Sequence, residues 1–203
     1  GQLMSEVFCY VDLTDLATYV ALDQILALSA LSEVTYLPLM VSLSSASGRK
    51  PAQETHDPLA AYKARRQRAR DAFAAAEHAR LLTLAGVTPD IADRPRDGEL
   101  AHAWLHYVSM HSGSDAAQML IKSVMDGIFQ DGCDIEDRDW LRAVSGTSED
   151  PSSVPDSVAA DQIEQGIFKS PGWLIEGERY LGREHLPMMR HLLSGAAKET
   201  APV

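Results

Sequence analysis

Cysteine is scarce in this chain. Its 203 residues include two, Cys9 and Cys133, far apart and neither in a Cys-x-x-Cys. A disulfide framework is therefore not indicated, and a reducing compartment, the cytoplasm, is the expected location. Long apolar runs are missing as well: none approaches the roughly 18–20 residues of a membrane span. The opening Gly1-Gln-Leu-Met4 lacks the basic start and apolar core of a signal peptide. Positive charge is in deficit, with 18 Lys and Arg against 29 Asp and Glu, and the resulting net charge of −11 argues against nucleic acid as the main partner. There is neither an internal repeat nor a low-complexity tract. What remains is an ordinary globular composition, 45% hydrophobic and 23% charged, long enough for one well-buried core with a sub-domain inserted.

The first forty residues carry a strand, a helix and a strand. Val7 to Leu13 is a compact β-type run of aromatic and branched residues. Thr14 to Thr18 offers several N-cap residues before Tyr19 to Ala30, where Val20, Leu22, Ile25, Leu26 and Leu28 recur at mostly helical spacing. Glu33 to Val41 reads as the second strand. Strand, helix of about three turns and strand make a βαβ unit, which implies a parallel crossover.

After Leu43 the character changes. Ser42 to Gln53 reads as a loop, and alanine, arginine and leucine then favour helix from about Asp57 to Arg80. Leu100–Val108, Ala116–Phe129, Trp140–Val144 and Ser157–Gln165 are further helical patterns. The acidic turn Asp131 to Asp139 lacks calcium-loop spacing and reads as capping. The expected fold class is α/β: residues 5–44 and 158–197 form a small mixed sheet domain, and residues 45–157 an all-helical insertion.

The end of the chain is the most specific part. Gly166-Ile-Phe-Lys-Ser-Pro171-Gly-Trp-Leu-Ile-Glu-Gly177-Glu-Arg-Tyr-Leu-Gly182-Arg-Glu-His reads as loop, Ser-Pro joint, strand, turn, strand, glycine and helix. Proline cannot donate to a sheet ladder, so directly before a strand its natural place is a cis bond at the strand's start. This wording, with Tyr10-Val-Asp-Leu-Thr-Asp-Leu-Ala-Thr-Tyr19 and Gly127 to Asp137, resembles the 2-hydroxychromene-2-carboxylate isomerase and kappa-class glutathione transferase branch of the DsbA-like thioredoxin-fold family. The resemblance implies a thioredoxin-like mixed sheet interrupted by helices. It also implies glutathione as cofactor, a small aromatic-derived substrate and a homodimer.

In that family a serine or cysteine begins the first helix, where the helix N-terminus stabilises a thiolate. Aligning Asp12 and Tyr19 puts Asp15 at that position, Leu16 at the family proline and Thr18 at the second cysteine or serine. Dithiol–disulfide exchange is thus not available there. A carboxylate at a helix N-terminus should stay ionised, and would repel an incoming thiolate by about 4 kcal/mol at 4 Å and an effective dielectric near 20. Asp15 is then either a general base, or acceptor for a neutral thiol, or a plain N-cap in a degenerate site. Thr14 and Thr18 are neighbouring hydroxyls able to substitute. The resemblance assigns Ser170 and Pro171 to the cysteinyl backbone of glutathione, and Gly182-Arg183-Glu184 to its γ-glutamyl end. Arg49 falls in a loop near a family asparagine, where it can bind a carboxylate; Lys63 stands near a family basic position.

Other features carry less. His102 and His106 are spaced i,i+4 without a third ligand, so no metal site is assigned. Lys63 to Arg70 is a basic helix face, solvated by default, with an anion or acidic segments as the alternative partners. Cys9 reads as a core residue and Cys133 as a loop thiol, while Trp104, Trp140 and Trp173 read as core or subunit contacts. The function implied is a glutathione-dependent isomerase or transferase; the alternative is a catalytically degenerate binding protein on the same fold.

Overall fold

The computed structural model describes residues 6–42 and 57–195. Arg49 lies outside the described residues.

Strand β1 (Val7–Val11) pairs in parallel with β2 (Val34–Pro38), from Val7 opposite Val34 to Val11 opposite Pro38. Near the other end of the chain, β3 (Gly172–Ile175) runs antiparallel to β1, and β4 (Glu178–Leu181) antiparallel to β3. The order is β2-β1-β3-β4, a mixed sheet with β1 at its interior. Glu176 and Gly177 join β3 to β4 with φ of 50° and 83°. Positive φ at both central residues is what a two-residue type I′ hairpin turn requires.

Between β1 and β2 the chain makes two short helices, α1 (Leu16–Val20) and α2 (Leu22–Ala27), then a 3₁₀ turn at Leu28–Ala30. Apolar spacing alone predicts one continuous helix here. The break falls at Ala21, whose φ of −94° and ψ of 5° leave the α region, directly after a stretch weakened by β-branched Thr18 and Val20. Between β2 and β3 lie α3 (Pro58–Ala85), the single turn α4 (Pro89–Ala92), α5 (Glu99–Ser112), α6 (Ser114–Phe129), α7 (Arg138–Ser145) and α8 (Asp156–Gln165). Helix α9 (Leu186–Leu193) follows β4 after a 3₁₀ turn at Arg183–His185. The short α4 has no periodic signal and is absent from the sequence expectation.

The sheet sorts its side chains with period two. Val7, Cys9, Val11, Val34, Tyr36, Trp173 and Ile175 enter the main core, while Tyr10 on the opposite face joins Leu39 and Ile167 in a smaller cluster. The main core runs without a gap into the inserted helices. On α6, Ala117, Leu120, Ile121, Val124, Met125 and Ile128 recur at 3- and 4-residue steps and meet Trp104, Leu105 and Val108 of α5. Sheet and insertion therefore share one apolar interior. Trp104 and Trp173 are fully buried in it, and Trp140 packs its ring over Gly127, where a Cβ would lie 2.5 Å from the ring. Cys9 is buried in β1 and Cys133 half-buried after α6. Among the described residues no helix is long and apolar enough to cross a membrane.

Candidate functional site

The site forms where β1 ends, α1 begins and the loop before β3 arrives. Asp15 is the N-cap of α1: its Oδ2 accepts from the Thr18 N–H at 2.9 Å and from the Thr18 hydroxyl at 2.6 Å. Thr18 is fully buried, and its Oγ1 also lies 2.6 Å from Ser170 Oγ. Ser170 Oγ accepts in turn from the Asp12 N–H at 2.8 Å. Hydroxyl counting fixes the protons. Thr18 has one, given to the ionised Asp15, so Ser170 donates to Thr18. The result is a one-way relay, from the Asp12 N–H through Ser170 and Thr18 to Asp15. Among the described residues, Asp15 Oδ1 receives no hydrogen bond.

Burial raises the Asp15 carboxyl above its ordinary range, the two Thr18 hydrogen bonds pull it back, and neighbouring Asp12 adds to the rise. The direction is opposite to what a helix N-terminus alone would give. A five-residue helix gives little dipole support, and desolvation outweighs it.

Asp12 orders the same junction from its other side. Its Oδ1 accepts from the Thr14 N–H at 2.9 Å and the Thr14 hydroxyl at 2.7 Å. His102, on α5, sends Nε2 to the Leu13 N–H at 3.1 Å. An accepting Nε2 means a neutral ring with its proton on Nδ1, so the 3.6 Å from Nε2 to Asp12 Oδ1 is proximity and not an ion pair. Burial depresses the His102 pKa, in agreement, although Asp12 opposes the shift.

A cavity of about 530 Å³ opens beside this junction, lined by Asp12, Asp15, Ala17, Leu39, Ser42, Phe168, Lys169, Ser170 and Leu181. The Ser170–Pro171 peptide is cis. The Ser170 N–H donates to no described backbone carbonyl and its C=O accepts from no described backbone N–H, whereas the Pro171 carbonyl accepts from Gly182 N–H at 2.8 Å. Gly172 is required at the next position, because a Cβ there would overlap the Ile167 side chain and sit 2.7 Å from the Lys169 carbonyl oxygen.

The residues singled out from sequence separate into two groups. Asp15 and Ser170 line the cavity, and Thr18 sits directly behind them. Glu184 is not among the lining residues but lies 3.6 Å from Nζ of the lining Lys169; its own backbone N–H and then Lys169 hold its carboxyl below the usual range. Thr14 spends its hydroxyl on Asp12 and does not line the cavity. Arg183 reaches back to α3, with its guanidinium 3.0 Å from Glu77 Oε1. His102 and His106 meet no third partner: among the described residues no group of three His, Cys, Asp or Glu is placed to hold a metal. Sequence reasoning missed Lys169, Phe168 and the structural use of His102. The lysine's place directly before Ser170-Pro171 was the available signal.

The chain matches no protein-family profile and no curated protein. It is similar to three solved structures, each at low identity. One is a 2-hydroxychromene-2-carboxylate isomerase, at 16% identity over 95% of this chain and 96% of that one, TM-score 0.57. A second is a probable DsbA oxidoreductase from Streptomyces coelicolor, at 18% over 98% and 92%, TM-score 0.59. A third, from Nitrosomonas europaea, is described as a protein disulfide isomerase, at 14% over 98% and 100%, TM-score 0.58. Sheet order, the long helical insertion and these end-to-end matches agree: the chain has the DsbA-like thioredoxin fold.

Proposed function

We propose that the cavity beside Asp15 binds glutathione and that the chain acts as a glutathione-dependent isomerase or transferase, resembling 2-hydroxychromene-2-carboxylate isomerase, with Asp15 where a serine usually stands. One observation carries the reading: Asp15 and Ser170 line the same cavity, and among the described residues neither Asp15 Oδ1 nor the Ser170 backbone has a hydrogen-bond partner. The residues fit the tripeptide. Ser170 offers an N–H and a C=O to a peptide backbone, and Glu184 a carboxylate to an α-amino group. Lys169 offers an ammonium to a carboxylate, and Leu39, Phe168 and Leu181 give an apolar wall to a small aromatic-derived substrate. Bound there, glutathione would supply a thiol.

Asp15 holds and returns a proton at Oδ1. Its raised proton affinity, caused by burial, makes it a stronger base than a solvated aspartate. Once protonated it no longer repels negative charge, which removes the like-charge cost that an ionised residue would impose. The Thr18 hydroxyl and N–H keep Oδ2 fixed throughout, leaving Oδ1 to exchange the proton.

A second reading, a catalytically degenerate thioredoxin-fold binding protein, is favoured by the closure of the relay. Ser170 gives its hydroxyl proton to Thr18 and Thr18 gives its own to Asp15, so neither hydroxyl is left to activate a thiol. Dithiol exchange fits neither reading, because Cys9 is buried in β1 and Cys133 lies outside the cavity.

Calorimetric titration with glutathione separates the two, followed by turnover of a chromene-type substrate. Binding with turnover that Asp15→Asn abolishes supports the enzyme. Binding without turnover supports the degenerate protein. No heat at millimolar glutathione, for the wild type and for Asp15→Ser alike, rejects both.

A further inference from the structure

Helix α8 (Asp156–Gln165) buries two side chains, Val158 and Gln162, and the second is an amide. Burying a polar group is unfavourable unless it is hydrogen-bonded, so a fully buried glutamine needs partners. Its Oε1 accepts from the Met40 N–H at 2.6 Å and the Val41 N–H at 3.2 Å. Its Nε2 donates to the Val41 carbonyl at 2.6 Å and the Ile167 carbonyl at 2.7 Å. Two acceptances and two donations use the full capacity of a primary amide. Ile167 is gripped twice, because its N–H also goes to the Gln162 backbone carbonyl at 3.2 Å, closing a Schellman turn around Gly166.

The groups so held flank the cavity on two separate stretches of chain. Strand β2 stands at the sheet edge. Past it the Leu39 N–H still reaches the Val11 carbonyl, after which the described backbone offers Met40 and Val41 no partner. Met40 and Val41 lie in sequence between Leu39 and Ser42, both lining residues, and Ile167 directly precedes Phe168, Lys169 and Ser170, which line the cavity too. These are the points where the chain enters the helical insertion and where it leaves. Met40 also packs on Ala103, Val154 and Val158, so apolar contact holds the first stretch as well. The second stretch ends at Ser170, whose hydroxyl takes the Asp12 N–H and reaches Thr18.

We propose that Gln162 is a positioning residue for the cavity: its amide joins residues 39–42 and 167–170 into one cooperative unit, so that the two walls and the placement of Ser170 are set together from α8. A glutamine that only satisfied stray backbone groups would act on each stretch separately. As a brace it couples them, and loosening one wall loosens the other and reaches the Asp12 N–H through Ser170. The binding measurement below rests on the glutathione reading; the exchange and relaxation measurements do not.

Residue-resolved native-state hydrogen exchange on the full wild-type chain tests this without any substitution. As urea is raised, the N–H groups of Met40, Val41, Ile167 and Asp12 open with one shared free energy, below that of the core amides of α6. Gln162→Met then keeps the unbranched length of the side chain and removes the amide. In that variant the NMR order parameters of residues 39–42 and 167–170 fall together while α6 stays rigid, and the Asp12 amide proton moves upfield as Ser170 draws back. Loss of the brace raises the calorimetric dissociation constant for glutathione about tenfold. Opening free energies that differ between Met40 and Ile167, or that equal those of α6, would overturn the proposal. So would a Gln162→Met chain in which residues 39–42 alone loosen and the Asp12 amide is unmoved, or one that binds glutathione as tightly as a binding wild type. A wild type that binds no glutathione rejects the ligand reading and not the brace, which the exchange and relaxation results then decide alone.

Discussion

Thr18→Val tests the relay with the least disturbance of shape. Valine keeps the branched outline at a fully buried position of α1 and removes only the hydroxyl. That hydroxyl donates to Asp15 Oδ2 at 2.6 Å and accepts from Ser170 at 2.6 Å. A hydrogen bond to an ionised group contributes about 1.5–3 kcal/mol net, and a stranded buried hydroxyl costs about 1–3 kcal/mol. Allowing for overlap between these terms, the expected loss is about 3 kcal/mol, read as the shift of the guanidinium unfolding midpoint at pH 7. The Thr18 N–H still caps Asp15, so the helix start survives. Adding Ser170→Ala removes the stranded hydroxyl, and the double variant should lose about 1 kcal/mol less than the two single losses summed. A Thr18→Val loss below about 0.5 kcal/mol, or strict additivity with Ser170→Ala, would refute the hydroxyl chain.

Three further outcomes follow from the same geometry. Folding raises the Asp15 pKa, so the contribution of this group is fully present below its unfolded value near 3.8 and is lost as pH rises through the folded value. Asp15→Asn should therefore gain stability relative to wild type between pH 3 and pH 7 in parallel denaturant titrations; a difference of opposite slope contradicts the burial argument. Gln162 is fully buried, accepts from the N–H groups of Met40 and Val41 and donates to the carbonyls of Val41 and Ile167. Gln162→Leu strands these backbone groups and should cost about 3–4 kcal/mol by thermal unfolding. Gly172→Ala forces a Cβ against the Lys169 carbonyl and the Ile167 side chain, with an expected loss of about 2 kcal/mol by urea unfolding.

Strand and helix identities were legible wherever one periodicity ran long enough. The aromatic and branched run at β1 and the 3–4 spacing on α6 each admit one reading, and both elements form there. The break at Ala21 was not legible, because apolar residues continue across it and the competing term is a backbone preference. Asp15 and Ser170 were placed by pattern, yet their relation was not: the shared Thr18 hydroxyl joins positions 152 residues apart in sequence. His102 was read for its spacing to His106. Its actual partner, the Leu13 N–H, lies 89 residues away and carries no side-chain signature. Charge signs along α3 were visible, and the solvated face they implied is present, with Lys63, Arg65, Arg66, Arg68 and Arg70 all exposed.

The β1–α1 junction explains how a carboxyl can stand half-committed at the start of α1. Three backbone donors around the start of α1 find side-chain acceptors: the Leu13 N–H goes to His102, the Thr14 N–H to Asp12 and the Thr18 N–H to Asp15. Those acceptors come from the inserted α5, from the end of β1 and from the cap itself. The Asp12 N–H is taken by Ser170, which ties the loop before β3 to the same point. A serine at position 15 could also cap α1, but its single oxygen would then face the helix. A carboxyl has two. One oxygen meets the demand of the fold, and the second remains for the cavity, with a proton affinity set by the very burial that the junction creates.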